Sequence, residues 1–135
     1  MKTVTQIIGG IEAVTEVWMV RGDDEIITVP IYTGDDRTPY EMQAGDTVTL
    51  TVRREPSQDS PVLMQVTGAP GVNRIPIRHE DTAEIEPGRY SADIQLLTAE
   101  GKRHTIWPDY DPADSARDRA KNMKNFVLIA EVTMV

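Results

Sequence analysis

The sequence predicts an all-β domain, built as an antiparallel β-sandwich of about seven to eight strands. The apolar residues are mainly β-branched: 13 Val and 12 Ile, with 14 Thr, stand against five Leu. Such side chains favour strands over helices. Nine Gly and nine Pro are spread along the chain at intervals typical of turns. Between these turns, apolar and polar residues alternate as they do in strands with one buried face.

The length and charge of the chain limit the classes of protein to consider. We expect a single domain over residues 1–135, because two domains of half this length would bury little surface. The formal net charge of −8 disfavours nucleic acid and anionic membranes as partners. The chain has no Cys, which excludes disulfides and thiolate chemistry. The N-terminus is too polar for a secretory signal, so we expect synthesis in the cytoplasm.

Four strands are predicted in the first half of the chain, separated by turns that contain Gly and Asp. They cover residues 13–20, 25–32, 47–52 and 62–66. The second strand carries Ile27, Val29 and Ile31 on one face. Because Pro30 has no N–H to donate, we expect an edge or a bulge there. The third strand alternates three apolar residues with three Thr, which indicates one buried and one solvated face.

Four further strands are predicted in the second half of the chain. They cover residues 74–78, 89–97, 104–107 and 125–133. A single helical turn is expected between the first two, over residues 80–84. The segment near 109–124 holds four Asp and four basic residues, and it fits a short polar helix or a loop equally well. We also expect the Thr- and Ile-rich residues 1–11 to cover a sheet edge or to pair with a neighbouring molecule.

No catalytic constellation is visible, so we expect a protein that is not an enzyme and needs no cofactor. The two histidines, His79 and His104, are predicted to lie at the surface, since neither has evident partners. Three Gly-Asp pairs, at 22–23, 34–35 and 45–46, resemble calcium ligands. We interpret them as turns because none has the ligand ladder of an EF-hand. The tripeptide Arg21-Gly22-Asp23 matches a cell-adhesion motif and is likewise interpreted as a turn.

Two candidate sites fall near the polar segment. Asp109, Asp111 and Asp114 have a spacing compatible with a weak cation site, although helix capping and solvation explain the same residues. Trp107 and Tyr110 are candidate aromatics for a ligand or an interface, although packing in the core or at its rim is the favoured interpretation. Trp18 belongs to the same small set of aromatic residues that a sugar-stacking surface would use.

The order of turn motifs resembles that of phage and prophage structural proteins similar to the immunoglobulin-like N-terminal domain of phage baseplate upper proteins. The resemblance spans roughly residues 14–133. The segments that carry it are Arg21-Gly22-Asp23-Asp24, Gly34 to Tyr40, Ala44 to Val52, Glu80-Asp81-Thr82, Pro87-Gly88-Arg89-Tyr90, Gly101 to Ile106 and Glu131-Val132-Thr133. The segment 108–124 is longer than the usual connection in that family.

The resemblance implies an immunoglobulin-like sandwich that serves as a virion component of the tail or baseplate. It also implies assembly as a homo-oligomer with other tail or baseplate proteins, after synthesis in the host cytoplasm. Two alternatives remain open. One is a carbohydrate-binding module, with Trp107, Tyr110 and nearby acids forming a calcium-assisted site. The other, ranked last, is a small hydrolase with an unrecognised pair of carboxylates.

Overall fold

The structure, a computed structural model, describes residues 7–9, 16–33, 38–108 and 124–131. Within these ranges the chain forms eleven β-strands and one short helix. They are β1 (Ile7–Gly9), β2 (Val17–Val20), β3 (Glu25–Thr28), β4 (Tyr32–Thr33), β5 (Thr38–Pro39), β6 (Thr47–Arg53), β7 (Val62–Thr67), β8 (Arg74–Ile77), α1 (His79–Thr82), β9 (Gly88–Leu97), β10 (Arg103–Trp107) and β11 (Phe126–Ile129).

Two sheets form a sandwich, which confirms the predicted all-β class. The larger sheet has the order β2-β11-β9-β6-β7, and β10 also pairs with β9. The smaller sheet is the antiparallel pair β3–β8. These two sheets hold eight strands, and with the third sheet the described residues form eleven, more than the seven to eight expected. Three short strands form a third sheet in the order β1-β4-β5.

The inward faces of the six-stranded sheet and of the β3–β8 pair supply most of the core. In β6 the predicted alternation is confirmed, since its three apolar residues are fully buried and its Thr residues are half-buried. Ile94 and Leu96 of β9 face the same core. The smaller sheet contributes Ile75 and Ile77, both at most 1% exposed. The two sheets are therefore held together by packing of aliphatic and aromatic side chains, without any disulfide.

Pro30 divides the predicted strand at 25–32 into two strands that join different sheets. Strand β3 ends at Thr28 and pairs with β8, whereas β4 starts at Tyr32 and pairs with β1 and β5. The side chain of Asn73 holds the break by donating to the carbonyl oxygen of Val29 at 2.9 Å. A residue without an N–H cannot continue a ladder, so the chain leaves one sheet and enters another here.

Other element bounds also differ from the predicted ones. The final strand starts at Phe126, after Asn125, whose side chain occupies the backbone groups of Ala92 in β9, and it ends at Ile129; residues 132–133 of the predicted strand lie outside the described residues. The helical turn begins at His79, where the Asp81 carboxylate accepts a hydrogen bond from the Arg78 amide at 2.7 Å. Strand β1 pairs with β4, so residues 7–9 cover an edge as expected. The predicted helix or loop at 109–124 lies outside the described residues up to 123.

Candidate functional site

The pairing of β2, β11 and β9 places three side chains in one row on the outward face of the large sheet. Trp18 of β2 is opposite Val127 of β11, and Val127 is opposite Arg89 of β9. Their neighbours along each strand, among them Met19 and Tyr90, point into the core. Because side chains alternate between the faces of a sheet, Trp18 is directed away from the core. Its side chain is 58% exposed.

Two charged residues hold the exposed indole in place. The indole Nε1 of Trp18 donates to Oε2 of Glu16 at 2.9 Å, and Nη1 of Arg89 donates to Oε1 of the same carboxylate at 2.9 Å. The Arg89 guanidinium carbon lies 5.9 Å from the centroid of the Trp18 ring, within the range of a cation–π contact. The aromatic ring is therefore exposed and yet fixed in orientation by two charged groups that also contact each other.

Further apolar side chains extend this surface along the same strands. Val20 of β2 is opposite Ile129 of β11 in the row that follows Trp18 and Val127. Ile129 is 39% exposed and Val20 is half-buried. We call the outward side of β2 and β11 at Trp18, Val20, Val127 and Ile129 the Trp18 face, within which Val127 itself is buried, at 8% exposed.

An ion pair borders each end of the Trp18 face. Glu16 and Arg89 form one, and Arg21 and Glu131 form the other, with Nη2 and Oε1 2.9 Å apart. The hydrogen bonds from Arg89 and then from Trp18 lower the pKa of Glu16 below its ordinary value. The hydrogen bond from Arg21 likewise lowers the pKa of Glu131. Both carboxylates are thus ionised and paired at neutral pH.

The remainder of the same sheet face is polar. Thr49 and Thr67 share a hydrogen bond of 2.9 Å between their hydroxyl groups. Gln65 donates to the Thr51 hydroxyl at 3.0 Å in the next row. These side chains satisfy one another across β6 and β7. The contrast makes the Trp18 face a local apolar surface beside a polar one.

Trp107, one of the two candidate aromatics, lies in the core and is 1% exposed. The expectation of an exposed ligand or interface residue is wrong for this position. The reason is a bulge in β10: Thr105 is opposite Gln95, but Trp107 is opposite the buried Ile94. The extra residue turns Trp107 inward, where strict alternation would turn it outward. The other candidates, Tyr110, Asp109, Asp111 and Asp114, lie outside the described residues.

The Gly-Asp pair at 45–46 forms a buried hydrogen-bond centre. Asp46 is 1% exposed and accepts hydrogen bonds from the hydroxyl of Tyr40 and from the amides of Gln43 and Ala99, the last two at 2.9 Å. Burial raises the pKa of Asp46, but these hydrogen bonds outweigh it, and the pKa lies below its ordinary value. Burial, followed by the contact with Asp46, raises the pKa of Tyr40. The Asp46 carboxylate therefore links its own turn, through Gln43, to the turn that begins at Ala99.

The other two Gly-Asp pairs differ from this one. Gly22 has a φ of 84°, as its turn requires, and donates its amide to the Thr82 hydroxyl at 2.8 Å. Asp23 is exposed, whereas Gly34 and Asp35 lie outside the described residues. Over the described ranges, no three His, Asp or Glu side chains are arranged to hold a metal ion.

The two histidines have different environments. His79 is exposed, as predicted, and its Nδ1 lies 3.0 Å from Oδ1 of Asp24. His104 is half-buried and not a surface residue, because it is opposite the fully buried Leu96 and so faces inward. Burial and the charge of Lys102 lower its pKa. Its Nε2 is buried and has no hydrogen-bond partner among the described residues.

Sequence reasoning weighed Trp18 only as one of several aromatics and did not identify its surface. Strand β2 does contain a usable signal. Because side chains alternate along Val17–Val20, Trp18 and Met19 must lie on opposite faces of this strand. The partners Glu16 and Arg89 are 73 residues apart, and no local pattern connects them. Their meeting depends on the parallel pairing of β2 with β11.

Comparison with known proteins adds no relationship: no family model and no curated protein matches the chain. No helix in the described parts of the chain has the length and apolar character that crossing a bilayer requires.

Proposed function

We propose that the chain is a non-catalytic assembly module of a phage or prophage tail or baseplate, with the Trp18 face as its contact surface. The observation that carries this proposal is the anatomy of that face. An exposed, oriented tryptophan is surrounded by aliphatic side chains and bordered by paired charges. Protein interfaces have an apolar centre and a polar rim, with Trp and Arg enriched among the residues that matter most.

The strand arrangement supports the immunoglobulin-like part of the proposal. In a variable-type immunoglobulin domain, one sheet holds strands G, F, C and C′, and B pairs with E in the other. The order β11-β9-β6-β7 with β3–β8 opposite corresponds to this arrangement. The Tyr90 hydroxyl also donates to the carbonyl oxygen of Glu86, at the turn before β9. A tyrosine in this place and with this contact is typical of the fold.

A carbohydrate-binding module is the second candidate, and the same tryptophan favours it. An exposed indole beside a carboxylate and a guanidinium offers a stacking surface with polar groups at its edge. The aromatic residue that serves this alternative is then Trp18, because Trp107 is buried.

The two candidates differ in what binds the purified chain and where the chain is found. Antibody against the chain is used on particles purified from induced cultures of the source strain, and a glycan array is probed with the wild-type chain and with Trp18→Ala. The assembly role predicts that the chain sediments with tail-sized particles and that the array stays blank. Saturable glycan binding lost in Trp18→Ala, with no chain in the particles, would replace the assembly role by the carbohydrate role.

A further inference from the structure

We infer that the occupant of the Trp18 face is the same face of a second copy of this chain, related by a two-fold axis. This inference rests on the assembly role proposed above and names the partner. Isologous contacts of this kind are the commonest in protein oligomers, and they require a surface that is complementary to itself. The charges of the Trp18 face meet this requirement.

The charges around Trp18 are self-complementary. The Glu16 carboxylate and the Arg89 guanidinium lie beside the ring, 2.9 Å apart, and contribute one negative and one positive group to each copy. The two copies face each other, and the two-fold axis lies in the plane between them. In that plane the axis runs along the bisector of the directions from Trp18 to Glu16 and from Trp18 to Arg89. Glu16 of each copy is then opposite Arg89 of the other. Each carboxylate then has two guanidinium neighbours, and no like charges meet beside the stacked rings.

The overall charge of −8 explains why this place is favoured over others. Two copies repel each other at most orientations, so contact is favoured where charge is locally balanced. The more acidic end of the face is at Arg21, where Glu131 and then Glu84 raise the pKa of the guanidinium. Arg21 is three residues from Trp18, about 10 Å along the strand. The proposed axis separates the two Arg21 ends by about 14 Å, beyond the Debye length of about 8 Å in physiological salt.

The size of the face predicts a weak contact. The exposed parts of Trp18 and Ile129 amount to roughly 200–300 Å² of apolar surface per copy. Stable interfaces bury upwards of about 1,000 Å² in total. The free chain is therefore expected to dimerise with a Kd of roughly 0.1–1 mM. In a particle, many copies held together would raise the effective concentration and make such a contact persistent.

Sedimentation velocity from about 10 μM to 1 mM, a range set by that Kd, tests the inference on the purified chain. We expect reversible dimers for the wild type and at least tenfold weaker association for Trp18→Ala. Ile26→Ala is the matched control, because Ile26 is 67% exposed on the opposite sheet. It should associate like the wild type. Circular dichroism establishes that each variant is folded.

Charge-swap variants test the proposed pairing itself. E16R alone and R89E alone should each lose dimers, since each sets like charges against one another across the axis. An equimolar mixture of the two variants should restore dimers, and the double variant E16R/R89E should dimerise like the wild type. A wild type that stays monomeric up to 1 mM would overturn the inference. So would equal weakening by Ile26→Ala, or a mixture of E16R with R89E that does not associate.

These results are separable from the proposed function. If the chain sediments with particles but the purified chain stays monomeric, the assembly role stands and the Trp18 face binds a different protein. If the purified chain dimerises through Trp18 but is absent from particles, self-association stands and the tail or baseplate role fails.

Discussion

Replacing Asp46 by Ala is expected to destabilise the fold more than any other single change to a charged group in the described residues. The carboxylate is 1% exposed and accepts hydrogen bonds from Tyr40, Gln43 and Ala99. A hydrogen bond to a charged group contributes about 1.5–3 kcal/mol. Coupled bonds are not additive, and the half-buried Tyr40 hydroxyl regains water in the variant. We therefore expect a loss of about 3–4 kcal/mol in the free energy of unfolding.

The assay is urea unfolding at pH 7, followed by the fluorescence of the buried Trp107. Asp23→Ala is the matched control, because Asp23 also follows a turn glycine but is exposed. It should change the free energy of unfolding by less than about 0.5 kcal/mol. A loss below about 1 kcal/mol for Asp46→Ala, or an equal loss in the control, would show that the hydrogen bonds to the Asp46 carboxylate do not stabilise the fold as expected.

The same pair of variants predicts a pH dependence. The pKa of Asp46 is lower in the folded chain than its ordinary value of 3.8. A lowered pKa contributes stability that is present above 3.8 and is lost as pH falls through the folded value. The gap in stability between the wild type and Asp46→Ala should therefore be constant from pH 7 to 5 and shrink below 3.8. A gap that widens on acidification would show that the carboxyl is not held ionised.

Three further changes have expected outcomes that urea unfolding measures in the same way. Gly68→Ala should lower the free energy of unfolding by about 2–3 kcal/mol, because a Cβ there would lie 2.3 Å from the carbonyl oxygen of Arg74 in β8. A variant as stable as the wild type would show that the two backbones separate easily. Asn125→Ala should lower the free energy of unfolding by about 2–3 kcal/mol, because the buried amide and carbonyl groups of Ala92 lose their partners at 2.7 and 2.9 Å. A change below about 1 kcal/mol would mean that water replaces these partners. Trp18→Ala should change the free energy of unfolding by less than about 1 kcal/mol, since the ring is largely exposed, and a larger loss would assign it a role in folding.

Much of the fold was predictable from the sequence because its strands obey simple alternation. The apolar residues of β6 lie on the predicted face, and the predicted turn at Gly22 has the positive φ angle that glycine allows. At Pro30 the sequence predicted a disturbance but not its consequence. Whether a proline bends one strand or sends the chain to another sheet depends on distant partners, here Asn73.

The candidate site was less predictable for the same physical reason. The burial of Trp107 depends on a bulge that shifts β10 by one residue against β9, and no local sequence pattern predicts that shift. The neighbours of Trp18 come from three strands, and two of those strands meet in a parallel pair that short turns alone do not specify. Asp46 shows the same limit in part: its turn was predicted, but its burial depends on Ala99, 53 residues away.

Incorporation of Trp18 variants into particles tests whether the Trp18 face holds the chain in a tail or baseplate. The source strain, with its own copy of the gene deleted, is complemented with the wild type, Trp18→Ala or Ile26→Ala, and the chain in purified tail-sized particles is quantified by mass spectrometry. The account predicts full incorporation of the wild type and of Ile26→Ala, with at least a tenfold loss for Trp18→Ala while the soluble variant stays folded. Equal incorporation of all three, or no chain in any particle, would contradict it.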